Sequence, residues 1–141
     1  MTRSAPWPKL RRGLVAILRG IRPDEAVATG HALYDTGFEA IEVPLNSPEP
    51  FRSIEALAKA LPGALVGAGT VVDPDDVARL ADSGGRLLVS PNVDERVLTA
   101  AGARGLITMP GVFTATEAFV ALRCGASALS AASPTRTLPA T

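Results

Sequence analysis

Short apolar runs alternate with helix-like stretches along the chain from Leu14 onward. The runs LVAIL, AIEV, ALVG, LLVS, LITM and, more weakly, SALS start at residues 14, 40, 64, 87, 106 and 127. Their spacing of about 20–26 residues accommodates one strand and one crossover helix. Because the runs are apolar throughout, they predict a parallel sheet covered by helices, either doubly wound or closed into a barrel.

The stretches between these runs carry helix start and stop signals. Proline and acidic residues open two of them, at Pro23 and after Asp73, which is the predicted N-cap. The segment TATE, residues 114–117, is a capping-box pattern, and Gly125 is placed to end that helix. Ile54, Leu57, Ala58 and Leu61 follow helical spacing, which predicts one apolar helix face.

One strand contains a charge in a position where a charge is costly. Glu42 lies within the apolar run of EAIEVPLNSP, residues 39–48. Burying an unpaired carboxylate costs several kcal/mol, on the order of what one domain can spare. Either Glu42 has a partner in the fold, or its raised energy serves a function.

Composition narrows the classes of partner. The chain has 141 residues, of which 47% are hydrophobic, and its 14 basic and 14 acidic side chains cancel. No charge run or long apolar segment predicts binding to nucleic acid or to a membrane. The single cysteine, Cys124, cannot form an internal disulfide and is typical of a cytoplasmic protein.

Polar residues and glycines follow the predicted strands. Arg19 ends the first, Glu42 lies in the second, Thr70 ends GAGT after the third, and Pro91 follows the fourth. In either type of parallel fold, the chemistry gathers at the carboxyl ends of the strands. The alternatives are structural: Arg19 could pair with Glu42 as an ion bridge, and Thr70 could only cap a turn.

The sequence offers little for a cofactor or a metal. GAGT lacks the GxGxxG spacing of a dinucleotide fold, and no P-loop occurs. His31 is the only histidine and is expected to be a partly solvated helix residue. The acids of DPDD are better explained by helix capping than by a metal site. We therefore expect neither a metal nor another cofactor.

Several segments together resemble one enzyme family. LVAILRG, GFEAIEVPLNSP, GAGTV, SPN and PGVFTATEAFVAL are similar, in order and from about Leu14 to Leu129, to the bacterial 2-keto-3-deoxy-6-phosphogluconate and -galactonate aldolases. EVPLNSP is closer to the phosphogalactonate branch. Which sugar-acid epimer is preferred would depend on side chains such as Asn46 and Ser47.

The resemblance implies a fold, a reaction and a set of roles. The fold is a (βα)8 TIM barrel, commonly assembled as a homotrimer. The reaction is reversible cleavage of a phosphorylated keto-deoxy sugar acid to pyruvate and glyceraldehyde 3-phosphate, through a Schiff base on a lysine and without a metal. Glu42 matches the family's general acid/base, Arg19 and Thr70 match residues at the pyruvate carboxylate, and Pro91 lines the same pocket.

This sequence departs from the family at the lysine. Ser130 stands at the position of the Schiff-base lysine, and serine has no amine with which to form an iminium. The chain has only two lysines: Lys9 precedes the first strand, and Lys59 lies beside an apolar helix face and is expected to point to water. We therefore predict that the chain has no Schiff-base lysine.

The length also departs from the family, because a (βα)8 barrel usually needs at least about 200 residues. We interpret residues 1–129 as a partial barrel of about six βα units and residues 130–141 as a divergent tail, expected to be disordered. A reading-frame shift or a gene fragment would explain the abrupt change, and sequencing the gene beyond codon 130 tests this. Six units need not assemble as the family trimer does.

Three functions remain open from the sequence. The first is the family's carbon–carbon lyase reaction, for which these residues as written lack the amine. The second is a non-catalytic fragment that binds small keto acids or associates with other chains. The third is another phosphate-handling barrel enzyme, such as an isomerase, against which Glu42 and EVPLNSP argue.

Overall fold

Six parallel strands form the centre of the structure, a computed structural model that describes residues 3–131. The strands are β1 (Val15–Ile17), β2 (Ala40–Pro44), β3 (Leu65–Gly69), β4 (Leu87–Ser90), β5 (Ile107–Val112) and β6 (Ser130–Ala131). The helices between them are α1 (Pro23–Asp35), α2 (Pro50–Ala60), α3 (Pro74–Asp82), α4 (Glu95–Ala103) and α5 (Ala115–Arg123). Ser130 and Ala131 are the only residues of the predicted tail that are described; the rest of that prediction lies outside the described residues.

The order of the strands separates the two sheet types that the sequence left open. The strands pair in chain order from β1 to β6, and every pair is parallel. A doubly wound sheet reverses its order at a switch point, whereas a barrel winds in one direction. The described residues therefore form a parallel α/β half-barrel. Whether the fold extends to eight βα units stays a prediction.

The helix boundaries follow the local signals. α1 begins at Pro23, and the Asp73 carboxylate accepts a hydrogen bond of 2.9 Å from the backbone N–H of Asp75 at the start of α3. Thr114 and Glu117 form the predicted capping box at α5, and Gly125 follows that helix with φ +79°. These caps satisfy backbone groups that each helix end leaves without an intrahelical partner.

The core lies between the sheet and the helices. Ile54, Leu57 and Leu61 are buried, as the apolar spacing of α2 predicts, and Lys59 on the same helix is exposed. The middle strands are buried from end to end, which is typical of strands in parallel sheets. Among the described residues, no helix has the length and apolar character needed to cross a membrane.

An amino-terminal segment, residues 4–10, lies at the amino ends of the strands. The backbone N–H groups of Ser4 and Ala5 donate to the carbonyls of Gly125 and Leu106 at 3.2 and 2.9 Å. The Ser127 hydroxyl donates in turn to the carbonyl of Ala5 at 2.5 Å. Farther along the segment, Trp7 and Leu10 pack against a small buried cluster made of Ala40, Leu65 and Leu87.

Candidate active site

Glu42 is buried in the sheet, and one of its carboxylate oxygens finds no hydrogen-bond partner in the described part of the chain. Its neighbours in register are Ile17 on β1 and Gly67 on β3. The residue is 3% exposed, and its buried Oε2 accepts no hydrogen bond among the described residues. A buried polar atom without a partner is rare in folded proteins and calls for a functional or structural explanation.

Gly69 provides the space that the Glu42 carboxylate occupies. A Cβ atom at Gly69 would overlap both carboxylate oxygens and the carboxyl carbon of Glu42. At Gly67, a Cβ would instead overlap the backbone of Leu87 on β4. The glycines of GAGT are therefore explained by close packing at β3, and Gly69 is a site residue that the sequence reasoning did not single out.

Burial raises the pKa of Glu42 from 4.5 to about 7, and the positive charge of Arg19 opposes this rise. Desolvation disfavours the charged form of a carboxyl group, so it outweighs the attraction to the guanidinium here. Near neutral pH the carboxyl group is consequently populated in both protonation states. That is the condition under which a group transfers protons most effectively in either direction.

Arg19 lies at the carboxyl end of β1, and its side chain is exposed. Its Nη1 donates a hydrogen bond of 3.3 Å to Oδ1 of Asn46 in the segment after β2. Within residues 3–131, Arg19 forms no ion pair with a carboxylate at salt-bridge distance. The structural alternative of a direct Arg19–Glu42 bridge is therefore wrong, although the two charges interact at longer range.

Thr70 has a left-handed backbone conformation directly after β3, with φ +58°. Positive φ is rare for a β-branched residue, because the side chain crowds the backbone. Such conformations persist where the surrounding structure imposes them, and they are concentrated at functional sites. Turn capping alone does not require a threonine in this conformation, since glycine would adopt it at lower cost.

The four residues singled out from the sequence meet at one cavity of about 340 Å³ at the carboxyl ends of the strands. Ser130 of β6 lines the same cavity, next to Gly111 of β5 in register. Ser90 and Gly111 were expected at this edge as strand-end residues, whereas Ile17, Val89 and Phe113 were not predicted from the sequence. The complete lining is Ile17, Arg19, Glu42, Thr70, Val89, Ser90, Pro91, Gly111, Phe113 and Ser130.

Two of the additional lining residues give the cavity an open apolar side. Ile17 is 58% exposed and Phe113 is 65% exposed, which is unusual for large apolar side chains. Ile17 alternates in direction with the buried Ala16 along β1. Alternation on such a short strand is a weak signal, and Phe113 follows its strand directly, so periodicity could not assign either residue to the cavity.

Neither lysine of the chain reaches this cavity. Lys59 forms an ion pair of 2.6 Å with Glu55 on the exposed face of α2, and Lys9 is exposed near the amino ends of the strands. Ser130 on β6 lines the cavity that contains Glu42, and its correspondence to the family's lysine position stays a prediction. Among the described residues no group of three or more potential metal ligands occurs, and His31 is exposed on α1.

Comparison with known proteins agrees with this arrangement of strands. The family model "Aldolase: KDPG and KHG aldolase" matches residues 9–134. A probable 2-dehydro-3-deoxy-6-phosphogalactonate aldolase of Rhizobium meliloti is 58% identical over 125 residues, covering 88% of this chain and 59% of the relative. The 2-dehydro-3-deoxy-6-phosphogalactonate aldolase of Escherichia coli is 51% identical over 117 residues, covering 82% of this chain and 57% of the relative.

The structural comparison gives the same result. A solved structure described as native KDPGal superposes with a TM-score of 0.84 at 49% identity, covering 88% of this chain and 60% of the other. The chain belongs to the KDPG and KHG aldolase family, whose members are carbon–carbon lyases. It spans a little under two thirds of the length of these relatives.

Proposed function

We propose that the chain carries the proton-transfer and carboxylate-binding part of a Schiff-base aldolase site. The reaction of the whole protein is the reversible cleavage of 2-dehydro-3-deoxy-6-phosphogalactonate, or of its phosphogluconate epimer, to pyruvate and glyceraldehyde 3-phosphate. The observation that carries the proposal is the Glu42 carboxyl group: it is buried, its Oε2 has no hydrogen-bond partner within residues 3–131, and it lines a cavity with Arg19 and Thr70. The relatives' names support the substrate class.

The chemistry requires a group such as Glu42. In cleavage, a base removes the proton from the hydroxyl beside the breaking carbon–carbon bond, and the electron pair of that bond moves toward an iminium nitrogen to give an enamine. The same group then returns a proton to the enamine carbon. Because the pKa of Glu42 is about 7, its carboxyl group can accept and donate this proton without a large energy penalty.

Arg19, Thr70 and Pro91 are proposed to hold the pyruvate end of the substrate. A guanidinium is always charged and matches the planar geometry of a carboxylate. Arg19 forms no ion pair in the described part of the chain, so its charge is available to a ligand. Thr70 offers a hydroxyl at the same cavity, and the Pro91 ring contributes an apolar wall.

The described residues favour keto-acid binding without turnover for the 141-residue chain. Ser130 lines the cavity and matches, by resemblance, the family position from which an amine attacks the keto carbon, and both lysines lie elsewhere. A hydroxyl cannot form an iminium, so the electron sink for cleavage is missing. A non-catalytic keto-acid-binding chain is thus the second function that we carry forward. Cytoplasmic location and the family trimer remain predictions.

Two measurements on the purified chain test the proposal. Pyruvate binding is followed by saturation-transfer NMR for the unchanged protein and for Arg19→Met, which keeps an unbranched stem but removes the guanidinium and its charge. We expect binding that is lost or greatly weakened in the variant. Borohydride reduction with pyruvate, followed by intact mass, is expected to give no adduct. Binding unaffected by Arg19→Met would refute the carboxylate site, and an adduct would refute the claim that no amine serves it.

A further inference from the structure

The turn that presents Arg19 is attached to β2 on both sides of that residue. Before it, the backbone N–H of Leu18 donates to the carbonyl of Glu42 at 2.9 Å. After it, the backbone N–H of Gly20 donates to Oγ of Ser47 at 3.0 Å. The turn itself closes through a bond of 3.3 Å from the N–H of Ile21 to the carbonyl of Leu18. Arg19 is therefore bracketed by two hydrogen bonds to the segment 42–47.

The segment that receives these bonds is itself fixed to the sheet. The N–H of Leu45 donates to the carbonyl of Gly69 at 2.9 Å, and the N–H of Ser47 donates to the carbonyl of Pro44 at 2.9 Å. Ser47 is only 6% exposed, so its hydroxyl is held inside the fold rather than presented to solvent. A buried hydroxyl that accepts a backbone hydrogen bond fixes the position of the donor peptide.

The guanidinium of Arg19 is held by the neighbouring residue of the same segment. Asn46 Oδ1 accepts from Nη1 of Arg19 at 3.3 Å, and Asn46 lies directly before Ser47. Gly20 contributes by adopting φ +80°, a conformation that turns the chain sharply after Arg19. Neither Asn46 nor Ser47 lines the cavity of about 340 Å³ that contains Glu42, whereas Arg19 does.

From this geometry we propose that Asn46 and Ser47 are positioning residues, which place the Arg19 guanidinium over the cavity and act on a bound carboxylate only through Arg19. The sequence had suggested instead that they help to distinguish the sugar-acid epimers. The pair links the carboxyl ends of β1 and β2 into one unit, so that the carboxylate-binding cation and the buried acid keep a fixed relation. The part of this proposal that concerns keto-acid affinity rests on the proposed function.

The test is a set of double-mutant cycles read out by two independent measurements. Ser47→Ala and Asn46→Ala are made in the unchanged chain and in Arg19→Met. The first measurement is the NMR titration of the Glu42 carboxyl group without ligand, because Arg19 lowers the pKa of Glu42. The second is the affinity for pyruvate. Ser53→Ala is the matched control, since Ser53 is a buried serine like Ser47 but its Oγ has no hydrogen-bond partner among the described residues.

We expect Ser47→Ala and Asn46→Ala to raise the pKa of Glu42 further and to weaken pyruvate binding by roughly 2- to 10-fold, the equivalent of one hydrogen bond. In the Arg19→Met background neither substitution should alter either quantity, and Ser53→Ala should alter neither in any background. A change that persists without Arg19, or one that Ser53→Ala reproduces, would overturn the proposal. So would the absence of any change in the titration.

The two readouts separate this inference from the proposed function. If the unchanged chain binds no pyruvate but the Glu42 titration follows the expected cycle, the keto-acid site is wrong and the positioning of Arg19 stands. In the opposite case, pyruvate binds and its affinity falls in Arg19→Met, but Ser47→Ala and Asn46→Ala change neither the Glu42 titration nor the affinity. The keto-acid site then stands, and the positioning role of Asn46 and Ser47 is wrong.

Discussion

β2 and β6 border the same cavity but are supported very differently. β2 has five buried residues and hydrogen-bonds to a strand on each side, whereas β6 consists of Ser130–Ala131 and pairs with β5 alone among the described residues. Glu42 on β2 is the proton-transfer group of the proposed site, and its burial raises its pKa to about 7. Ser130 on β6 has no amine. In the proposed site, the acid/base group therefore depends on the core of the sheet, and the nucleophile position depends on the last described strand.

The largest expected effect comes from Ser130→Lys, which would give β6 the amine that it lacks. The new amine would line the same cavity as Glu42, and we expect borohydride trapping with pyruvate to change from no adduct to an adduct of one reduced pyruvate per chain. Intact mass spectrometry measures this. Ser83→Lys adds a lysine at the end of α3, outside the cavity lining, and should give no adduct. Equal labelling of the two variants would show that β6 does not present its residue to the site.

Glu42→Gln tests whether ionisation of the buried carboxyl group lowers the free energy of unfolding. The variant and the unchanged chain are compared over a series of pH values. A carboxyl group with a higher pKa in the folded protein stabilises it fully below its unfolded pKa, and this contribution is lost as pH rises. With values of 4.5 unfolded and about 7 folded, the window runs from 4.5 to about 7. The loss amounts to as much as about 3 kcal/mol.

Denaturant unfolding at several pH values within that window provides the measurement. Glutamine is neutral and similar in shape, so the Glu42→Gln variant should lose less stability than the unchanged chain as the pH rises. The difference between the two proteins removes the contributions of all other titrating groups. Parallel stability curves would mean that Glu42 ionises without cost, contrary to its burial.

Gly69→Ala tests the space beside Glu42. The new Cβ would overlap the carboxyl group, and overpacking of a filled interior costs about 1–3 kcal/mol in unfolding free energy. The substitution should cost less in a Glu42→Ala background, because the overlapping group is then gone. Gly13→Ala is the control, since a Cβ at Gly13 has no neighbour within 4 Å. An equal cost of Gly69→Ala in both backgrounds would contradict this account.

The smallest expected effect concerns Thr70. Thr70→Gly and Thr70→Ala both remove the hydroxyl, but only glycine adopts φ +58° without strain. We expect the glycine variant to be more stable than the alanine variant by about 1 kcal/mol, and both to bind pyruvate more weakly than the unchanged chain. Thermal unfolding compares the pair; greater stability of the alanine variant would argue against a strained backbone at Thr70.

Local features were predictable from the sequence, and spatial ones mostly were not. Helix starts at Pro23 and after Asp73 follow from capping chemistry within a few residues, and the burial of Glu42 follows from its apolar neighbours. The strand order did not follow, because periodicity defines each strand without saying which strands are neighbours. That order is what distinguishes a half-barrel from a doubly wound sheet.

The same limit applies within the site. Arg19 and Thr70 were found because they end strands, and parallel strand ends converge at one edge of a sheet. The hydrogen bond from Gly20 to Ser47 joins residues 27 positions apart, so no local sequence pattern predicts it. The left-handed conformation of Thr70 also runs against the preference of a β-branched residue, so propensity would have predicted the opposite.

The amino-terminal segment has a consequence for the order in which the protein is made. Ser4 bonds to Thr108, 104 positions later, at 2.8 Å, and Ala5 accepts from Ser127, 122 positions later. A ribosome releases the chain from its amino end at about 5–20 residues per second. Residues 4 and 5 are therefore synthesised several seconds before the residues that hold them, and the last of these contacts forms only after residue 127 has been synthesised.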